Sequence, residues 1–322
     1  MSGPVEPAVA DTARPHQTIK AIPVRHPGRW VAAVVIALLV AMFVNMLVTN
    51  DAFQWGFVWD TLFIPPVLRG AWTTVLLTVL AMVIGIALGL VLAVMRLSPN
   101  PILSSVSFVY TWFFRAVPRL VLCVMFGVSS ILYREVTLGF PFDKQIGNLF
   151  GVDMDASFYS IDMNTLLSAF MAGLLALALS EGAYMAEIVR AGIQSVDEGQ
   201  IEAATALGMS RGLAMRRIVL PQAMKVIVPP TGNEVIAMLK DTSLVAYVPL
   251  ADLFFNFSAI GARTFQVFPA LVGAVLWYLG MTSILLVGQY FLEKRFSRGT
   301  SRSGTDIGIR GRLIAAGGTH GH

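Results

Sequence analysis

The chain has 322 residues, of which 56% are hydrophobic and 13% charged, and its mean hydropathy is +0.72. Soluble globular domains carry roughly 25% charged residues, so a water-soluble fold is excluded and the length reads as several membrane spans with short connections. The net charge of +4 would raise nucleic acid as a partner only for a soluble protein, and a single cysteine, Cys123 in an apolar run, offers neither a disulfide framework nor a thiolate metal site.

Residues 1–29 are polar and carry Arg14, Lys20, Arg25 and Arg29, which reads as a cytoplasmic tail. The apolar run behind them is too long for a cleaved signal peptide, and residues 30–49 read as an uncleaved anchor helix. A spanning helix needs roughly 20 mostly apolar residues. Val31–Val48, Ala71–Met95 and Val267–Leu292 meet that requirement cleanly. Three further spans are predicted on less regular sequence: Leu120–Tyr133, Met163–Ser180 running into Glu181 and Glu187, and Val226–Val248. The last is interrupted by Pro229, Pro230, Gly232, Asn233, Glu234 and the quartet Lys240, Asp241, Thr242, Ser243. Charges at such depth are costly and face a bundle interior or a watery cavity. The expected fold is therefore all-α and integral to the membrane, with about six transmembrane helices.

Basic residues favour cytoplasmic connections. With the N-terminus inside, 18 of the 23 Lys and Arg fall in segments assigned to the cytoplasm, including Arg96, Arg115, Arg119 and the cluster from Arg190 to Lys225. Only Arg69, Arg134, Lys144 and Arg263 fall outside. Both termini are expected in the cytoplasm. The outer connection contains FPFDKQIGNLFGVD, a short segment suited to the membrane face, and residues 297–322 are rich in Gly, Ser and Arg and read as disordered.

The longest cytoplasmic connection, residues 195–223, reads SVDEGQIEAATALGMSRGLAMRRIVLPQA. Ser195 and Glu198 have capping-box spacing, which predicts a helix from about Val196. Gly208 suits the left-handed turn that ends it, Ser210 can cap a second short helix, and Pro221 is expected to close that helix. The first helix is expected to expose Ala203 and Ala204 beside Glu202. Local chemistry fits an amphipathic linker as well as a docking helix.

Glu202-Ala203-Ala204, Gly208, Ile218 and Leu220-Pro221 fall at every signature position of the EAA loop, and on this spacing the chain resembles the permeases of bacterial ABC importers. Around it, Tyr110, Arg115-Ala116-Val117-Pro118, GAYMAEIVRAGI at 182–193, PPTGN at 229–233 and KDTSLV at 240–245 resemble the polar amino-acid (histidine/glutamine-type) branch over roughly residues 66–296. Relatives usually carry Arg-Gly-x-Pro where this chain has Arg115-Ala116-Val117-Pro118. The resemblance implies a type I permease core with one extra N-terminal helix, and a coupling loop at 195–223 that docks on a separate ATPase. It also implies a second permease copy, identical or not, two ATPase subunits and an extracytoplasmic amino-acid-binding protein. Localisation would be the bacterial inner membrane, with no nucleic acid as a partner. No G-x-x-x-x-G-K-[ST] loop occurs. ATP and Mg are thus expected to bind the partner, and this chain is expected to be no enzyme and to hold no cofactor or metal.

Seven residues is nearly two helical turns, so Glu234 and Asp241 are predicted on one face, with Asn233 and Lys240 on the adjacent one. Together with Thr242, Ser243 and Glu181 they form a polar strip fit for a zwitterion. Neutralisation of neighbours within a dimer is an equal reading. Gly85 and Gly89 allow close helix contact, either within the bundle or between subunits, and Glu187 with Arg190 reads as an ion pair within one helix. An ion-gradient-driven secondary transporter is the alternative function, since broken helices with midplane charges occur there too.

Overall fold

In a computed structural model, the described residues are 27–132, 134–139, 143–151 and 157–296; the two predicted tails lie almost wholly outside them. The N-terminal unit, residues 1–51, contributes α1 (Pro27–Thr49), an apolar helix of span length.

The second unit begins with α2 (Trp55–Leu62), α3 (Pro65–Arg96), α4 (Pro101–Ala116) and α5 (Arg119–Gly127). It continues through short α6 (Ser129–Leu132), β1 (Glu135–Gly139), α7 (Asp143–Phe150), β2 (Ser157–Asp162) and short α8 (Met163–Leu166). Next come α9 (Ala169–Gln194), α10 (Glu198–Ala206), α11 (Arg211–Ala214) and a π-helical turn at Met215–Val219. The chain ends in α12 (Leu220–Asp241), a 3₁₀ segment at Thr242–Tyr247, α13 (Leu253–Thr264) and α14 (Val267–Phe296).

Among the described residues, four helices, α1, α3, α9 and α14, are long and apolar enough to cross a membrane, and α4 and α5 taken together have the length and composition of a fifth. The span predicted at Leu120–Tyr133 is not one helix: α5 ends at Gly127 and is turned by 95° from α4. Pro118 explains the break, because it disfavours helical geometry at Val117, which is extended with φ −86° and ψ 128°. α12 has 22 residues, about 33 Å at 1.5 Å each, but Lys225, Glu234, Lys240 and Asp241 lower its apolarity. Its ladder tolerates Pro229 and Pro230 without a break in helix, and it stops at Asp241 rather than running to Val248. The predicted span at Met163–Ser180 begins six residues later and reaches Gln194.

The connection between α6 and α8 departs from an all-helical plan by pairing β1 and β2 antiparallel, with Glu135 opposite Asp162 and Leu138 opposite Tyr159. The predicted surface segment falls between them and is helical over Asp143–Phe150; the rest of that stretch lies outside the described residues.

The centre of the bundle is the crossing of α3 and α9. A Cβ added to Gly85 would lie 2.6 Å from Cγ of Glu181, and one added to Gly89 would lie 2.5 Å from Cβ of Met185. Both helices therefore run in the same direction with their backbones almost touching, and the Gly85–Gly89 pair serves packing within the subunit. Leu77, Ala81, Leu122, Leu177 and Met238 close the apolar core beside this crossing. A second cluster, Ala93, Met185, Val189, Val219 and Ala223, ties the far ends of α3 and α9 to the start of α12.

Candidate functional site

The bend between α4 and α5 delivers Arg119, the first residue of α5, into the interior. Its Nη2 lies 2.9 Å from Oε2 of Glu181 on α9 and 3.7 Å from Oε2 of Glu234 on α12. Its Nη1 lies 2.6 Å from Oδ2 of Asp241, at the end of α12. The guanidinium also stacks over the Tyr184 ring, with Cζ 4.8 Å from the centroid. One cation thus ties three carboxylates from two helices to a third helix. Glu181 is wholly buried, whereas the Glu234 and Asp241 side chains are 24% and 36% exposed. Oε1 of Glu181 is buried without a hydrogen-bond partner among the described residues.

The shared face of Glu234 and Asp241 is therefore as the seven-residue spacing predicts, but its partner is Arg119. Sequence reasoning had left Arg119 in a basic cytoplasmic connection. Two signals could have exposed it: the apolar run Leu120–Cys123 directly after it, and Pro118, which permits a helix to restart at a new angle. Lys240 does not pair with Asp241. It points to the other side of α12 and lines a cavity of about 620 Å³ with Ser243, Phe254, Tyr278 and Thr282. Ser243 Oγ donates to the Lys240 carbonyl, and Thr242, fully buried, donates to the Leu239 carbonyl. Asn233 accepts from Nε2 of Gln289 on α14 at 2.9 Å. The predicted polar strip is thus split into an anionic face toward Arg119 and, toward α14, a largely apolar cavity bordered by Lys240 and Ser243.

The second site is the segment 195–223. Its first helix begins at Glu198, capped by Asp197, whose carboxylate accepts from the Gly199 amide at 2.8 Å. The capping box predicted at Ser195 does not form, because Ser195 is the C-cap of α9 and its hydroxyl donates to the Gly192 carbonyl. Gly208 has φ +75° and ends α10 in the left-handed turn that glycine adopts without a Cβ penalty. Ser210 caps α11, its Oγ accepting from the Leu213 amide. Glu202 and Ala203 are exposed and Leu207 is 82% exposed. Ala204, predicted to be exposed, is buried where α10 packs against α11 and the π-helical turn.

Pro221 does not close the second helix. α11 passes through the π-helical turn, with Leu220 donating its amide to the Met215 carbonyl five residues back, and continues as α12. Pro221 lies in the first turn of α12, where a missing N–H is tolerated, and the π geometry accommodates the shift in register. Ile218 is half-buried in that turn, and Leu220 and Pro221 are exposed. From Arg211 the path to Glu234 and Asp241 is helical throughout, and the turn at 207–210 separates it from the helix carrying Glu202.

Comparison with known proteins agrees with this architecture. Residues 85–298 match the family described as binding-protein-dependent transport system inner membrane component. The chain is 44% identical over 296 residues to the arginine transport system permease protein ArgU of Corynebacterium glutamicum, covering 91% of this chain and 88% of that protein. It is 31% identical to the probable amino-acid ABC transporter permease protein YckA of Bacillus subtilis, over 77% of this chain and 98% of the relative. Among solved structures, a chain of an amino acid ABC transporter crystallised with histidines aligns with TM-score 0.58 and 33% identity, over 72% of this chain and 94% of its own. A family model matching well over half the sequence shows that this chain belongs to the inner membrane components of binding-protein-dependent transport systems.

Proposed function

We propose that the chain is the membrane-spanning subunit of an ATP-driven importer of polar amino acids, forming the translocation pathway and coupling it to a separate ATPase. One observation carries the coupling half: α10, with its exposed face, is linked by the short turn at 207–210 to α11, which runs on through the π-helical turn into the helix that bears Glu234 and Asp241. A partner that moves α10 moves the anionic face with it. Small Ala203 and acidic Glu202 leave room and charge for docking in a groove of that partner. A secondary transporter would have no use for this surface, and the family match weighs against the ion-gradient reading.

The reading extends to the pathway. Three carboxylates face one guanidinium, and the resulting surplus of negative charge favours the ammonium of an amino acid, which loses its hydration on entering the membrane. Glu181, buried behind Arg119, positions the guanidinium. Glu234 and Asp241, partly exposed, are the groups a substrate reaches. Lys240 with Ser243, on the opposite side of α12, offers the complementary charge for a carboxylate, and Asn233 and Thr242 frame the strip. The chain would work with a second permease copy, two ATPase subunits and an extracytoplasmic binding protein, both its termini being cytoplasmic.

Co-purification with the ATPase tests the reading. The unaltered chain should retain it through affinity purification, and Glu202→Lys should release it while the permease still inserts. Equal retention by both would remove the docking role from residues 195–223.

A further inference from the structure

A third cluster plays no part in the coupling segment or the acidic cage. A cleft of about 380 Å³ opens between the end of α3, the second half of α4, and α9, and it is lined by Arg96, Phe108, Trp112, Arg115, Tyr184 and Glu187. α3 and α4 run antiparallel, with the Ser107 hydroxyl donating to the Leu92 carbonyl at 2.8 Å. Helical side chains sweep toward their own N-terminus, so Arg96 and Arg115 lean toward each other. Each is steadied from one side by a ring: Cζ of Arg96 lies 4.6 Å from the Phe108 centroid and Cζ of Arg115 5.7 Å from that of Tyr184.

The charges in this cleft do not cancel. Glu187 is held by Arg190, whose Nη2 and Nε lie 2.6 and 3.0 Å from one carboxylate oxygen. Arg96 spends one donor on the Ser104 carbonyl at 3.1 Å. Arg115 is exposed and forms no ion pair among the described residues. Two guanidiniums with free edges thus face a cleft whose mouth carries Trp112, 62% exposed. The cleft lies near the end of the bundle that bears the coupling segment, since Glu187 is two turns, about 10 Å, from the end of α9. Arginine forks match phosphate oxygens, and exposed Trp favours the level of lipid headgroups.

We propose that this cleft binds the phosphate of an anionic phospholipid, Arg96 and Arg115 gripping the headgroup while Trp112 and Phe108 contact the glycerol and upper acyl region. The site would hold the α3–α4–α9 corner at a fixed depth next to the coupling segment. It stands apart from the transport reading, because lipid occupancy is measured without ATPase, substrate or uptake.

The test is native mass spectrometry of the full-length chain in detergent, titrated with phosphatidylglycerol or phosphatidylcholine. The unaltered chain should show saturable, preferential binding of phosphatidylglycerol. Arg96→Gln with Arg115→Gln should weaken it about 30-fold, the loss expected for two cations at a membrane surface. A large excess of inorganic phosphate should leave the lipid in place. Equal binding of the two lipids by the unaltered chain would overturn the proposal, and that arm needs no variant. Undiminished phosphatidylglycerol binding by the double variant would overturn it too, as would displacement by inorganic phosphate, which would assign the cleft to a soluble anion.

Discussion

Among the described residues, Arg119 faces three carboxylates, Glu181, Glu234 and Asp241. Its side chain is 11% exposed and Glu181 is wholly buried, so removing the cation leaves a carboxylate with no counter-charge in a non-aqueous interior. Breaking a buried pair from one side typically costs about 3–5 kcal/mol. Arg119→Met should therefore lower the unfolding temperature of the purified chain sharply. Arg119→Met combined with Glu181→Leu should recover much of the loss, because no unpaired charge remains at the buried position. Unchanged thermal stability in the single variant would contradict the cage. For transport, Glu234→Gln, Asp241→Asn and Lys240→Met should each reduce uptake in complexes that assemble normally, and normal uptake in all three would dissociate the pathway from α12. Half of this arrangement was legible in the sequence. The spacing of Glu234 and Asp241 put them on one face, because helical periodicity is local. Their partner was not, because Arg119 arrives from 122 residues away in sequence by a bend that periodicity cannot express.

At the scale of elements, the contact between α3 and α9 depends on the absence of side chains. An added methyl at Gly85 or Gly89 would lie within 2.6 Å of α9 atoms, so Gly89→Ala should destabilise by roughly 1–3 kcal/mol through overpacking, read by thermal unfolding in detergent. The G-x-x-x-G spacing announced close approach without naming the partner helix. The coupling segment shows the same division. Gly208 takes its positive φ because it lacks a Cβ and Ser210 caps as its hydroxyl predicts, whereas Pro221 reads as a stop in sequence but in the first turn of a helix is compatible with continuation. Ser195 was misjudged for a related reason, since the same hydroxyl can serve the end of one helix or the start of the next, and α9 takes it. Gly208→Pro, which cannot adopt a positive φ, should leave membrane insertion intact and reduce ATP-dependent uptake severalfold more than hydrolysis. Equal loss of both would point to failed docking rather than broken transmission.

For the whole molecule, the apolar spans α1, α3 and α14 follow from composition alone, because a helix facing lipid must be apolar along its length, whereas α9, largely buried and carrying Glu181 and Glu187, starts later and ends later than its apolar run suggests. The bent pair and α12 were harder to delimit, because their polar residues are matched by other helices rather than by neighbours in sequence. The basic-residue asymmetry remains the basis for orientation, although Arg115 and Arg119 belong to the bundle and not to a connection. Reporters placed before Val31 and at His322 should read cytoplasm, and one near Asp153 should read the outside; cytoplasmic access at Asp153 would reverse the assigned topology. The central claim, that this subunit moves amino acids only when a separate ATPase drives it, is tested most directly by uptake into proteoliposomes. Liposomes containing the permease with its ATPase and binding protein should accumulate substrate on ATP addition, and liposomes containing the permease alone should accumulate none under an ion gradient. Gradient-driven uptake by the permease alone would contradict the account.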